Sequence, residues 1–460
     1  MPVSVAAETG WLPDCVYTGE KFESGLAFFA DGLGRITRFS RTPADLAAAK
    51  RLPGQAALPG LVNGHGQTFA RALRGRSEPR ARTLPAGPGW PDWVGQAAGR
   101  LSAEDRYDLA RMAFLEMMLS GVTCTSEFHA IHGPPAGGLG AELDPGAREI
   151  LRAAHDLGLR LALVNVAFGR AGFQQPDNPA EACLATGPLE RYAAQTDRLR
   201  EFAAAHYPAD EAWIGIAPHS LRTVPLDYLK GLAAYAHTHR LRFFAPVAER
   251  PEDNEACVAE HGRRPVALLA ELGLLGKRFT AIHAAQISAE EARLIGAAKA
   301  TVCVCPSSGS NPGRPIAPLD ELRSAGAEIA VGSGGSGQFN LLAGARLIGA
   351  QGSGPRPGRS PAAAWFHALT VAGARSLGAP GGALEVGRPA DFFTVSLFDP
   401  SVVGADTGSL LAQVVFALER RAIRDVWVGA RPRLANGRHP LQGAIIGRFV
   451  ELQQRLWPAD

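Results

Sequence analysis

A histidine and a glutamine stand two residues apart where an apolar stretch of the chain ends. Residues 56–62 are apolar and run into the sequence NGHGQ, which contains His65 and Gln67. Alternate side chains of a strand point to the same side, so these two project together. Two histidines at this spacing would give two imidazoles to one metal ion, and here an amide takes the second place. The stretch therefore indicates descent from a metalloprotein whose chemistry has changed.

The elements that would hold these side chains are short apolar runs that alternate with helical patterns from residue 58 onward. Several helices have clear starts, such as the capping pattern of Ser288 and Glu291. The runs predicted as strands are residues 58–65, 122–129, 159–166, 213–218, 242–247, 279–283, 301–305 and 328–333. Eight such units over about 320 residues are typical of a (β/α)₈ barrel of the TIM type, an α/β fold.

Both ends of the chain have a different pattern from the middle. Residues 1–57 and the region from 387 onward contain short strand-like runs separated by turn residues, one of them at 414–417. A helix is predicted over 445–456. We therefore predict that 1–57 and 387–460 form one composite β-sandwich with a C-terminal helix, beside a barrel formed by 58–386.

Charge and cysteine content exclude several classes of function. Lysine and arginine number 47 and aspartate and glutamate 44, without a run of like charges. This balance argues against a nucleic-acid or membrane-surface partner. The six cysteines form no CxxC pair, so neither a disulfide framework nor a zinc ribbon is indicated. With no leader pattern or spanning apolar run, we expect a cytoplasmic protein.

Candidate site residues gather at the predicted strand ends. Barrel enzymes carry their sites at the C-terminal ends of the strands. A single histidine there is more often structural, but five at one face indicate a site. The same ends present Gln67, Arg222 and Glu249. The five histidines are His65, His129, His132, His219 and His283.

These residues carry a family resemblance that covers nearly the whole chain. It is borne by SGVTCTSEFHAIH, GIAPHSLRTV, IHAAQISAEEARL, VCVCPSS and the closing GRPADFFTVSLFDP and RDVWVGARPRLANGRH. The chain resembles the amidohydrolase superfamily, and within it the formimidoylglutamate deiminases. The resemblance implies a distorted barrel with a β-sandwich, one zinc ion, and hydrolysis of an amidine C–N bond.

The resemblance breaks at the positions that would hold zinc. Carried over, the family's ligand positions fall on His65, Gln67, Pro246 and Gly334. Three of these four lack a good zinc donor, and a catalytic zinc needs about three protein ligands. His283 survives nearby. We therefore expect a degenerate metal site with no zinc and no other cofactor.

The residues that would bind substrate are partly kept. His219 and Arg222 match those that the family uses to hold the substrate carboxylate, a group that arginine binds well. We therefore expect a small substrate with an anionic group. Ala70 and Ala130 replace family contacts, which argues against formimidoylglutamate itself. The other predicted substrate-binding residues are His129, His132, Gln67, Ser308, Asn311 and Ser333.

For catalysis we predict Glu249 and His283 as an acid/base pair, with His65 polarising the reacting group. The glycine-rich residues 332–338 are a further candidate for anion binding, or they fill the space left by a lost aspartate. Cys305 precedes a proline as is usual in the family, which favours a structural role over a nucleophilic one.

Three functions remain open at this level. The favoured one is a metal-independent enzyme acting on a C–N bond, in an amidine, imine or amide. The second is a non-catalytic descendant that binds a ligand or an active partner. The third is a zinc-dependent hydrolase with rewired ligands, which would use His65, His283 and either His129 or His219. In each case the resemblance and the apolar helices favour a homodimer.

Overall fold

A computed structural model describes residues 8–76, 90–133, 143–176, 178–307, 316–349 and 360–458. Its strands, in chain order, are β1 Thr9–Tyr17, β2 Phe22–Ser24, β3 Ala27–Ala30, β4 Ile36–Ser40, β5 Lys50–Pro59, β6 Leu61–Asn63, β7 Val122–His129, β8 Arg160–Ala167, β9 Ala212–Pro218, β10 Phe243–Val247, β11 Phe279–His283, β12 Thr301–Val304, β13 Glu328–Val331, β14 Phe392–Ser396, β15 Ile423–Val428 and β16 Arg431–Leu434.

Most of the helices lie between the strands of the middle region. They are α1 Pro43–Ala48, α2 Ala70–Leu73, α3 Trp90–Ala98, α4 Ala103–Met118, α5 Pro145–Leu157, α6 Leu189–His206, α7 Leu226–Thr238, α8 Pro251–His261, α9 Pro265–Glu271, α10 Ala289–Ala297, α11 Leu319–Ser324, α12 Leu341–Gly349, α13 Pro361–Leu369, α14 Val371–Leu377, α15 Leu410–Phe416 and α16 Gln442–Leu456. Among the described residues, no helix combines the length and apolar character that crossing a membrane requires.

The predicted barrel is confirmed. Strands β6 to β13 pair in sequence order as one parallel sheet of eight strands. The sheet nearly closes on itself, because the Gly64 N–H donates to the Val331 carbonyl at 3.0 Å and Gly66 bridges to Gly334. The C-terminal strand ends therefore meet at one mouth, where side chains distant in sequence can act together.

Both chain ends join in a second, mixed sheet, as expected. Its order is β16-β15-β14-β5-β1-β3-β4, with β2 pairing to β1. Trp11, Phe28, Phe392 and Trp427 pack their rings together on one face of it, with centroids 5.1–5.6 Å apart. The exact domain boundaries stay predictions, and the run at 4–7 lies outside the described residues.

The apolar stretch 56–62 is divided between the two sheets. The chain leaves the mixed sheet after Pro59 and enters the barrel at Leu61. At Gly60 a Cβ atom would lie 2.1 Å from the Thr123 Oγ1, so only glycine permits the crossing. The strand predicted at 414–417 is wrong, since this segment forms the end of α15. A short apolar run does not distinguish a buried helix from a strand.

Candidate functional site

Three potential metal ligands from three strands converge at the barrel mouth. His65 follows β6, His283 ends β11 and Cys305 follows β12. One ligand atom from each lies within 4.8 Å of the others. The two imidazole rings meet edge to face with centroids 5.9 Å apart. We call these three residues the mouth cluster.

His65 is neutral, and one of its ring nitrogens lacks a hydrogen bond to the described part of the chain. Its side chain is buried, and its Nδ1 has no hydrogen-bond partner among the described residues. Burial lowers its pKa well below the usual value, and the neighbouring His283 lowers it further. A buried imidazole that is neutral and has an unbonded nitrogen is in the state that a metal ion requires of its ligand.

His283 and Glu249 lie close together, and their role as an acid/base pair stays a prediction. The His283 Nε2 and the Glu249 Oε2 are 4.0 Å apart. His283 has a φ of +68° and the next residue, Ala284, a φ of +51°. Such left-handed backbone costs about 1–3 kcal/mol for a residue other than glycine, and it clusters at functional sites. The bend at the end of β11 turns the imidazole toward the mouth.

Cys305 is the member of the mouth cluster that the sequence did not indicate as a metal ligand. Its thiol is buried, and burial together with the adjacent Cys303 raises its pKa well above the usual value. The thiol is therefore protonated unless a cation displaces the proton. Two imidazoles and one sulfur match the nitrogen and sulfur donors that zinc prefers. The donor set therefore fits a zinc ion.

The positions where the family ligands were expected have other surroundings. Pro246 pairs with Ile282 within the barrel sheet. Gly334 has a φ of +62°, a conformation that aspartate adopts only with strain. Gln67 lines a cavity between β7 and the helices. A Cβ atom on Gly335 would lie 2.8 Å from the Gln67 Oε1.

The two residues predicted to hold the substrate carboxylate, His219 and Arg222, lie in different surroundings. His219 is half-buried near the mouth, and its partial removal from water first, then Arg222, lowers its pKa to about 4. Arg222 is exposed; its Nη1 donates to the Ala171 carbonyl at 3.0 Å, and its Nε lies 3.9 Å from Asp253. The histidine is therefore neutral and at the site, while the arginine lies at the periphery.

Ser333 ties two parts of the mouth together. Its N–H donates to the Asn63 Oδ1 at 2.9 Å, and its Oγ accepts from the Asn63 Nδ2 at 3.0 Å. In the same loop the Gly337 carbonyl accepts from the Arg74 Nε at 3.1 Å. Anion binding by this glycine loop stays a prediction. Ser308 and Asn311 lie outside the described residues.

His129 and His132 form a second group with Asp144, the N-cap residue of α5. We call these three the rim cluster; its ligand atoms also lie within 4.8 Å of one another. Phe128 faces the barrel interior, since its ring lies 4.0 Å from that of His65. Its neighbour His129 therefore points the other way, toward α4 and α5. The strand period thus separates the two clusters.

A cavity of about 80 Å³ adjoins the rim cluster between β7 and the helices. Glu127 is buried in its wall, and burial raises its pKa to about 8 although Thr68 donates two groups to it. The volume accommodates a few waters or a small ligand group. The described lining residues are Gln67, Thr68, Phe69, Arg106, Leu109, Glu127, Phe128, His129, Ala130, Ile131, Ile150 and His219.

Comparisons with known proteins agree with this geometry. A model of the amidohydrolase family matches residues 56–438. Formimidoylglutamate deiminase of Pseudomonas aeruginosa is 29% identical, with 98% of each chain covered. An amidohydrolase structure from Brucella melitensis has a TM-score of 0.85 at 22% identity, covering 97% of this chain and 99% of that one. An adenosine deaminase structure from Xanthomonas campestris with bound zinc has a TM-score of 0.81 at 21% identity, covering 99% and 100%.

The prediction that the protein has no zinc is wrong. The Xanthomonas structure has this fold and contains zinc, and the mouth cluster offers a donor set that suits zinc. Three lost ligand positions do not by themselves remove a site, because side chains from other strand ends can supply donors. Cys305, whose place in the family pattern favours a structural thiol, is one of the three donors of the mouth cluster. Its CPSS context at a strand end was the signal available in the sequence.

Proposed function

The chain belongs to the amidohydrolase family, and we propose that it is a zinc-dependent hydrolase of a C–N bond in a small polar substrate. In this proposal His65, His283 and Cys305 hold the metal. The observation that carries it is the convergence of these three donors within 4.8 Å, one of them a buried imidazole with an unbonded nitrogen. The deiminase relative supports a C–N bond as the target.

A zinc ion bound there supplies Lewis acidity and makes water a stronger nucleophile at neutral pH. Glu249 lies beside the donors and is positioned to carry the proton of the attacking water to the leaving nitrogen. Water adds to the carbon, the C–N bond breaks, and the nitrogen leaves as ammonia or an amine. His283 serves as a ligand in place of the proton-transfer role predicted from the sequence.

The surroundings of the cluster suggest how substrate is oriented. His219 is neutral at pH 7, so it offers a hydrogen bond without charge. Arg222 provides the nearby positive charge, and an anionic group on the substrate would extend toward it. Phe128 closes the barrel side of His65 and keeps water from that face. These features favour a small molecule with a polar reacting end and an anionic tail.

Elemental analysis together with a screen for released ammonia tests the proposal. The substrates are amidines, amides and amino-substituted heterocycles with and without a carboxylate. Cys305→Ser should lose about one equivalent of zinc relative to the wild type, and activity with it. Cys124→Ser is the control, since Cys124 is equally buried but lies in β7 away from the cluster.

Equal zinc content and activity in Cys305→Ser and the wild type would contradict the ligand assignment. Tight binding of a small ligand without turnover of any substrate would instead favour a non-catalytic binding protein. Homodimer formation stays a prediction that light scattering can test.

A further inference from the structure

The rim cluster has the donor geometry of a separate metal site. The Asp144 Oδ2 lies 2.9 Å from the His129 Nε2 and 3.1 Å from the His132 Nδ1. All three side chains are buried. Two imidazoles and a carboxylate converging on one point form a donor set that divalent transition metals accept.

The hydrogen bonds of His132 require a positive charge at this point. Its Nε2 lies 2.8 Å from the Val166 carbonyl, which can only accept, so the Nε2 carries the proton. The neutral ring then has a lone pair on Nδ1, and that lone pair faces the Asp144 Oδ2, another acceptor. Two acceptors cannot bond to each other. A cation must therefore lie between them, either a second proton or a metal ion.

The outer contacts match those of a metal site. Metal-binding histidines usually donate their other ring nitrogen to a carbonyl or carboxylate, as His132 does to Val166. Ligating carboxylates are usually hydrogen-bonded in turn. The Asp144 Oδ1 accepts the N–H groups of Gly146 at 2.7 Å and Ala147 at 3.2 Å, which leaves Oδ2 for a cation. These contacts orient His132 and Asp144 before any ion arrives.

Arg106 is the nearby cation that could compete for Asp144. Among the described residues, however, the guanidinium makes no ion pair with Asp144 within 4.0 Å, and its Nη1 donates to the Ile131 carbonyl. His129 also lines the cavity, which leaves room for a water or a small ligand beside it. The Asp144 oxygen and an open coordination position are therefore both accessible to an ion.

We propose that His129, His132 and Asp144 bind a divalent transition-metal ion, distinct from the one at the mouth cluster. The ion joins the C-terminal end of β7 and the residues after it to the start of α5.

Cobalt titration of chelator-treated protein separates the two sites. Cobalt bound to Cys305 gives a thiolate charge-transfer band in the near ultraviolet, whereas a site of nitrogen and oxygen donors gives only visible bands. Cys305→Ser should therefore lose the near-ultraviolet band and keep about one equivalent of cobalt with its visible bands. The same variant should also gain thermal stability when cobalt is added.

Asp144→Asn removes the charge but keeps a good N-cap for α5, so the helix start is retained. In this variant bound cobalt should fall from about two equivalents to one and the visible absorption should weaken, while the thiolate band stays. His155→Gln, on the exposed side of α5, is the control for adventitious surface binding and should behave as the wild type.

Cys305→Ser that binds no cobalt would overturn the proposal and assign the cation at Asp144 to a proton. This result needs no variant of the rim cluster, so it holds even if Asp144→Asn fails to fold. A wild type without the thiolate band but with visible bands would instead contradict the mouth cluster and leave the rim site supported.

Discussion

The mouth cluster and the rim cluster contain similar side chains, but their hydrogen bonds are satisfied to different degrees. In the mouth cluster the His65 Nδ1 has no partner among the described residues, and His283 has a left-handed backbone. In the rim cluster the Asp144 Oδ2 lies within 3.1 Å of a ring nitrogen of each histidine, and its Oδ1 accepts two backbone N–H groups. The mouth cluster thus contains an imidazole nitrogen without a hydrogen bond to the described residues and a strained backbone, whereas the polar atoms of the rim cluster complete one another once a cation lies between them.

This difference distinguishes a site that favours reaction from one that stabilises the fold. Unpaired buried groups and strained backbone cost stability, so they persist where a ligand or a reaction uses them. A buried network in which each member is satisfied rigidifies the structure around it. We therefore expect changes in the mouth cluster to affect turnover, and changes in the rim cluster to affect stability.

The largest expected effect is on turnover at the mouth. Glu249→Gln should lower kcat by about 10²–10⁴-fold, because the amide cannot carry a proton, while zinc content is unchanged. Glu127→Gln is the control: this buried carboxyl lies on the opposite side of β7 from the barrel interior and should leave kcat nearly unchanged. Steady-state kinetics with the ammonia assay measures both. Similar losses in the two variants would contradict the division between the clusters.

The next effect concerns stability at the rim. Asp144→Ala should lower the free energy of unfolding of the metal-free protein by about 3–5 kcal/mol, because it removes both the buried partner of His129 and His132 and the N-cap of α5. Asp144→Asn keeps the cap and should cost less. Urea denaturation followed by circular dichroism measures both. An Ala variant as stable as the wild type would mean that the network does not hold α5.

A smaller effect should appear in the dependence of stability on pH. His219 has a folded pKa of about 4, lowered by burial, whereas the unfolded chain binds the proton near 6.5. Protons therefore favour the unfolded state between these values, and stability should fall as pH drops from 6.5 to 4. Each unit of pKa shift corresponds to about 1.4 kcal/mol.

Burial lowers the pKa of His65 and of His129 as well, so both act in the same direction. His219→Gln should make the slope of stability against pH between 6.5 and 4 shallower without removing it. The measurement is urea denaturation of the metal-free wild type and variant at several pH values. An unchanged slope would mean that His219 is already protonated in the folded chain.

The smallest effect is expected at the periphery. Arg222→Ala should raise KM by less than about tenfold with kcat unchanged, since an exposed charge contributes about 1 kcal/mol or less to an ionic contact. Arg240→Ala, an exposed arginine just beyond the C-terminal end of α7, is the control. A large fall in kcat would place Arg222 nearer the reacting atoms than the structure does.

The sequence alone determined the frame of the molecule. Apolar runs alternating with helical patterns gave all eight barrel strands, because a strand buried on both faces must be apolar along its length. The positions of His65, His283 and Glu249 at strand ends followed from that frame. The family resemblance rested on the same ordered motifs, which run the length of the chain.

Only the tertiary structure decided which side chains meet. Cys305 lies beside His65 and His283 because β6, β11 and β12 end at one mouth. Comparing ligand positions along the sequence does not show this proximity. His129 was expected at that mouth, but the two-residue period of β7 gives that face to Phe128. His129 therefore pairs with Asp144, which no strand motif connects to it. Strand ends can be read from local patterns, but contacts between them depend on closure of the barrel.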